Sequence, residues 1–106
     1  MDMEISNAFA ALGNPARLAI VERLLREGER AAGELALPDI SPPAMSHHFK
    51  VLREAGIVSQ RVDAQRRLYA VRPEAMRAIG KWTLTYRQFW EGGFARLDRA
   101  LKEGND

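Results

Sequence analysis

The chain has 106 residues, 46% of them hydrophobic and 28% charged, with no cysteine and only two histidines, which are adjacent. That length suits one domain spanning residues 1–106, and the composition is that of a folded soluble protein, not a disordered one. The lack of cysteine excludes disulfides, thiolate metal sites and thiol nucleophiles, and no apolar run approaches the roughly 20 residues of a membrane helix. The opening MDMEISNAF has acids where a secretory signal needs cations, so a cytoplasmic location is expected.

The net charge of +2 is unevenly spread: residues 1–40 carry −3, residues 41–72 carry +4 and residues 73–106 carry +1. A basic middle segment of this kind suits a polyanionic partner.

Taken in order, the pattern predicts a first helix from Glu4 to about Leu12, with Ile5, Phe9 and Leu12 on one face and Gly13 as its stop. Asn14 caps a second helix with Pro15 in its first position. That helix directs Leu18, Val21, Leu24 and Leu25 inward and ends at Gly28. A short third helix, about Ala31 to Leu37, is anchored by Leu35 and ended by Pro38. Ser41 then caps a fourth helix that opens with Pro42 and Pro43 and stops at Gly56. Ile57–Val62 and Arg66–Val71 form a β-hairpin around Asp63–Ala64–Gln65, a turn without the usual glycine. Pro73 opens a long last helix to about Glu103, with Ile79, Trp82, Tyr86, Phe89, Gly93, Leu97 and Leu101 spaced by threes and fours. The order α1-α2-α3-α4-β1-β2-α5 describes a mainly α (α+β) winged helix-turn-helix, with the helix-turn-helix at about 31–56 and the wing at about 57–71.

At about 100° per residue, Met45, Phe49 and Leu52 share the core side of the fourth helix, flanked by Ala44, His48, Val51 and Ala55. Pro43, Ser46, His47, Lys50, Arg53 and Glu54 lie opposite. Small hydrogen-bonding groups near the N-terminal end suit base edges; Lys50 and Arg53 suit phosphates. His48, at the edge of the core, reads as mainly structural. Neighbouring histidines diverge on a helix and make a poor metal pair. On the hairpin, Arg61, Arg66 and Arg67 suit phosphate contacts or a narrow minor groove, while Tyr69 suits packing or a phosphate contact better than base stacking.

The last helix holds more aromatic surface than so small a domain can hide. Ile5, Phe9, Trp82, Tyr86, Phe89, Trp90, Phe94 and Leu97 are the expected surface of a homodimer made by residues 4–12 and 73–103; a ligand pocket lined by the same aromatics is the alternative. Gly92–Gly93 is unusual inside a helix and suits close helix approach or a kink. Three functions are open to such a chain: a DNA-binding regulator, a winged-helix protein-interaction module, and an enzyme. The last lacks paired carboxylates, a nucleophile–base set and a phosphate-binding glycine loop.

The segments AFAALGNPARLAIVERLL, GELA, SPPAMSHHFKVLREAGIVSQR and RRLYAV resemble the ArsR (ArsR/SmtB-like) family of bacterial winged-helix repressors over roughly residues 6–72. The resemblance implies a homodimer on an inverted-repeat operator, usually repressing. DNA contacts are implied at Pro42, Pro43, Ser46 and His47 in the reading helix, beside the cap Ser41, and around Arg66 and Arg67 in the wing. His48 matches the histidine of the family's Ser-x-His-Leu motif, with Phe49 replacing leucine. Many members release DNA on binding a metal. The family's thiolate motif would fall near Ala31 and Gly33, which are not ligands, and its tail-helix metal pairs have no counterpart between Lys81 and Leu101. The chain is similar to the cysteine-free branch, so no metal or cofactor is expected and the effector is unassigned.

Overall fold

Two caps set the frame of the helical core. Asn14 Oδ1 accepts from the backbone N–H groups of Ala16 (2.9 Å) and Arg17 (3.2 Å), satisfying donors the first turn of a helix leaves free. Ser41 Oγ does the same for Ala44 at 3.3 Å. In a computed structural model describing residues 4–104, these caps open helices α2 (Pro15–Glu27) and α3 (Pro42–Glu54), after α1 (Ile5–Leu12). Strand β1 (Arg30–Ala31) and a 3₁₀ turn (Ala32–Leu35) lie between α2 and α3; β2 (Val58–Asp63), β3 (Arg66–Val71), α4 (Pro73–Thr85) and α5 (Arg87–Glu103) follow. Met1–Met3, part of the acidic start, and Asn105–Asp106, the end of the expected domain span, lie outside the described residues.

Helix α3 ends in a Schellman arrangement. Ile57 N–H donates to the Leu52 carbonyl and Gly56 N–H to that of Arg53, both at 3.0 Å, with Gly56 at φ 79°. This turn places Leu52 and Ile57, both fully buried, against each other and launches the hairpin from the end of α3. The sheet is antiparallel in the order β1-β3-β2. Val58 pairs with Val71 and Asp63 with Arg66, while Arg30 and Ala31 pair with Tyr69 and Leu68. The core joins Ala8 and Ala11 of α1 to Ile20, Val21 and Leu24 of α2, Leu35, Met45, Phe49 and Leu52, and Ile57, Val58 and Tyr69. No helix among the described residues is long and apolar enough to cross a membrane.

The fold is thus mainly helical with a small three-stranded sheet, and it departs from expectation in two elements and in the burial of one helix. The third helix is only a 3₁₀ turn, because the chain ahead of it is used as a strand: Arg30–Ala31 take up the free edge of β3, and Glu34 Oε1 accepts the Ala31 N–H at 3.0 Å. Leu35 remains its buried anchor, and Ala36 is already extended (φ −56°, ψ 135°). The long last helix is broken at Tyr86 (φ −104°, ψ 8°). Just before the break, Thr83 and Thr85 hydroxyls donate to the carbonyls of Ile79 (3.0 Å) and Lys81 (2.8 Å), a competition with the backbone that bends helices. The helix runs unbroken through Gly92–Gly93 instead. Finally, Leu18 and Leu25 of α2 are 42% and 52% exposed. The buried side is centred on Ile20, Val21 and Leu24, about 100° around the helix from them.

Helix α5 buries no residue. The radius of gyration is 18.2 Å, against about 13 Å for a compact chain of this length. The helix projects from the other elements and lengthens the molecule, whose extents with α5 included are 66 × 34 × 22 Å.

Candidate nucleic-acid interface

Helix α3 buries Met45, Phe49 and Leu52 and leaves Pro42, Pro43, Ser46, His47, Lys50 and Arg53 exposed, as the helical spacing predicts. Ser41 Oγ is engaged in the cap. Ser46 and His47 stand one turn inside the N-terminal end, with no long side chain ahead of them in Pro42–Pro43. Lys50 lies 3.9 Å from Glu54, an exposed pair that salt screens readily.

Two contacts hold the hairpin to α3. The ring of Tyr69 stacks on Phe49 with centroids 4.3 Å apart and planes 12° apart. Tyr69 is 4% exposed, so it packs and does not reach outward. Arg53 donates to the Gln60 side-chain oxygen. The exposed face of α3 and the wing are therefore presented together, and Arg53, expected to reach a phosphate, is shared with the strand.

The three wing arginines differ. Arg61 donates from Nε and a terminal nitrogen to both Glu29 oxygens, at 2.8 and 2.7 Å. The hydrogen bonds from Arg61 hold the Glu29 carboxyl below its usual range, and those to Glu29 raise the Arg61 guanidinium further. Arg61 is thus committed to a partner 32 residues earlier, which no local pattern revealed. Arg66 and Arg67 are exposed at the tip, with Arg66 3.5 Å from Asp63. The two-residue loop between Asp63 and Arg66 is entered through Ala64 at φ 58°, the left-handed conformation that the missing glycine would have taken easily.

Sequence reasoning missed Arg17. Its Nε donates to the Ala11 carbonyl at 2.6 Å and a terminal nitrogen reaches His48 Nδ1 at 3.2 Å. Burial first, then the Arg17 guanidinium and His47, hold the His48 imidazole below its ordinary value. Among the described residues no group of three or more His, Asp or Glu side chains lies close enough to hold a metal ion.

Away from the wing arginines in sequence, Phe9 of α1 meets Trp82 of α4 edge-on at 5.1 Å, and Trp82 meets Tyr86 at 4.9 Å. Phe89, Trp90, Phe94 and Leu97 continue this strip along α5 and are all more than half exposed; Ile5 is half-buried beside it.

A family model described as a helix-turn-helix domain matches residues 12–61. The HTH-type transcriptional regulator Rv2034 of Mycobacterium tuberculosis is 46% identical over 74 residues, covering 68% of this chain and 67% of the relative. The transcriptional repressor SdpR of Bacillus subtilis is 30% identical over 83 residues, covering 77% of this chain and 91% of the relative. Among solved structures, the ArsR family transcriptional regulator RHA00566 superposes with a TM-score of 0.74 at 30% identity, covering 82% of this chain and 96% of the other. The transcriptional repressor BigR from Xylella fastidiosa superposes at 0.60 with 31% identity, covering 77% and 85%. With its winged helix-turn-helix, the chain belongs to the ArsR family of DNA-binding transcriptional regulators.

Proposed function

We propose that the protein is a homodimeric repressor that binds an inverted-repeat operator, with α3 in the major groove and the β2–β3 wing on the adjacent backbone or minor groove. The observation that carries this reading is the joint presentation of Ser46, His47 and Lys50 on α3 with Arg66 and Arg67 on the wing, fixed by the Phe49–Tyr69 stack. Ser46 and His47 read base edges, with Ser41, Pro42 and Pro43 against the sugar-phosphate wall; Lys50, Arg53, Arg66 and Arg67 take phosphates. Arg61 joins them only by giving up Glu29. A repressor role on this fold has its parallel in SdpR and BigR, both named transcriptional repressors.

The dimer reading is supported by the strip from Ile5 and Phe9 through Trp82 and Tyr86 to Phe89, Trp90, Phe94 and Leu97. Exposed apolar surface this continuous is typical of an interface. Two-fold symmetry sets the two α3 helices about 34–36 Å apart, one turn of DNA. Sedimentation equilibrium tests the assembly: wild type runs as a dimer and Phe89→Glu as a monomer. A wild-type monomer at micromolar concentration overturns the dimer. Fluorescence anisotropy with the duplex upstream of the protein's own coding sequence, against a scrambled duplex, tests operator recognition and autoregulation. Ser46→Ala or His47→Ala costs about 1–3 kcal/mol of discrimination for each base edge no longer read; unchanged discrimination in both refutes the reading face.

A further inference from the structure

Besides its apolar side and the Arg53–Gln60 bond to β2, helix α3 makes a polar contact with α2. Arg17, in the first turn of α2, bonds the Ala11 carbonyl in the last turn of α1 and His48 in the middle of α3. One half-buried side chain therefore touches the helix that carries Phe9 to the proposed dimer surface and the helix that carries Ser46 and His47.

The chemistry of the contact fixes the state of the imidazole. A guanidinium has donors and no acceptor, so His48 Nδ1 must accept, which requires a neutral ring with its proton on Nε2. Protonation puts N–H against N–H and sets two cations at the distance of a hydrogen bond. Arg17 from α2 and His47 from α3 are the charged or titratable groups that act on the ring. From α1 come the Ala11 carbonyl and, along the groove beside Arg17, the uncharged Asn7 and Ala10. Glu54 of α3 lines the same groove, but its carboxylate lies beside Lys50. Among the described residues no carboxylate is bonded to His48 to compensate an added proton.

We propose that Arg17 is a positioning residue for DNA recognition: through neutral His48 it holds α3 in register with α1, and protonation of His48 releases that register and weakens operator binding. The proposal rests on α3 being the reading helix. Both half-sites must be met at once in a dimer, so a small rotation of α3 against α1 misplaces Ser46 and His47 in both. The direction is diagnostic. Rupture of the Arg17–His48 hydrogen bond weakens binding in acid, whereas charge added toward DNA without any change of register strengthens it.

The test uses the full chain and a duplex that wild type selects from a random pool, with a scrambled duplex as control. Anisotropy is measured from about pH 8 to about pH 5.5 at constant ionic strength, with circular dichroism at each pH to verify folding. Wild type loses about tenfold in affinity for the selected duplex, the scale of one charge-assisted hydrogen bond. His48→Gln, whose amide oxygen accepts from Arg17 without titrating, binds with a flat profile; His47→Gln keeps the wild-type fall. A flat wild-type profile, or a parallel fall in His48→Gln, overturns the proposal.

Failure of the pool to yield any preferred duplex refutes the DNA reading itself. In that case, or if His48→Gln does not fold, histidine NMR decides whether Arg17 controls the ring. An Nε2–H tautomer titrating below 6.5 in wild type and moving up in Arg17→Met supports the contact; identical titrations in the two proteins refute it.

Discussion

Replacing Arg66 and Arg67 together by alanine isolates the electrostatic work of the wing. Both are exposed and sit next to each other at the start of β3, so the alternation of a strand points them to opposite faces of the hairpin tip. A tip lying in a groove thus presents one guanidinium to each wall. The exposed Asp63, 3.5 Å from Arg66, is too weak a partner to hold it away from a phosphate. Each phosphate neutralised contributes about 0.9 to the slope of log K against log salt; with two arginines on each protomer of the proposed dimer, the double variant lowers the slope by about 3.6. Sequence preference is unchanged, because phosphates carry no sequence information. Arg61→Ala is the internal comparison: Glu29 has already neutralised that guanidinium, so its slope stays near wild type. Anisotropy across a salt series measures all three proteins. A wild-type slope in the double variant refutes the wing as a phosphate clamp, and an equal fall in Arg61→Ala refutes the argument from pairing.

Releasing Arg61 is expected to act in the opposite sense. Glu29→Gln frees one guanidinium per protomer, raising the slope by about 1.8 in a dimer and tightening binding at low salt; the same salt series detects it, and an unchanged slope sinks the idea. At the wing tip, Ala64→Gly relieves a left-handed φ of 58° and raises stability by about 0.5–1 kcal/mol, net of the added freedom of the unfolded chain. A higher urea midpoint at unchanged m-value is the signature. Because the His48 pKa is lowered in the fold, the unfolded chain binds this proton more readily. The contribution of His48 is complete above its unfolded value near 6.5 and is lost as pH falls from there through the depressed folded value. Urea unfolding across that window shows the loss in wild type and its absence in His48→Gln.

Features set by local chemistry are legible in the sequence. Asn14–Pro15, Ser41–Pro42–Pro43 and Gly56 each fix a helix end through bonds reaching no more than five residues, and the β-branched run Ile57–Val62 ahead of the polar Asp63–Ala64–Gln65 marks the hairpin. The exposed face of α3 follows from spacing alone. What stays hidden depends on pairings between distant segments. Arg30–Ala31 is too short to carry a strand pattern and becomes one only because β3 offers an edge. Glu29 and Arg61 meet across 32 residues, and Arg17 and His48 across 31, with nothing in either neighbourhood to announce the partner. Leu18 and Leu25 look like core because leucine usually is, yet the direction of the core depends on where α1 and α3 lie. The break at Tyr86 has a local cause in Thr83 and Thr85, but the strong apolar spacing on both sides masks it.

The Phe49–Tyr69 stack also has a consequence for control. Together with the Arg53–Gln60 bond it joins α3 and the wing into one body, so neither can leave a half-site while the other stays. Within a protomer the grip on DNA is then a fixed shape, and the adjustable quantity in a dimer is the angle and distance between two such shapes. In the proposed dimer, a change of a few degrees along α1 and α5 therefore becomes a mismatch with the pitch of the double helix.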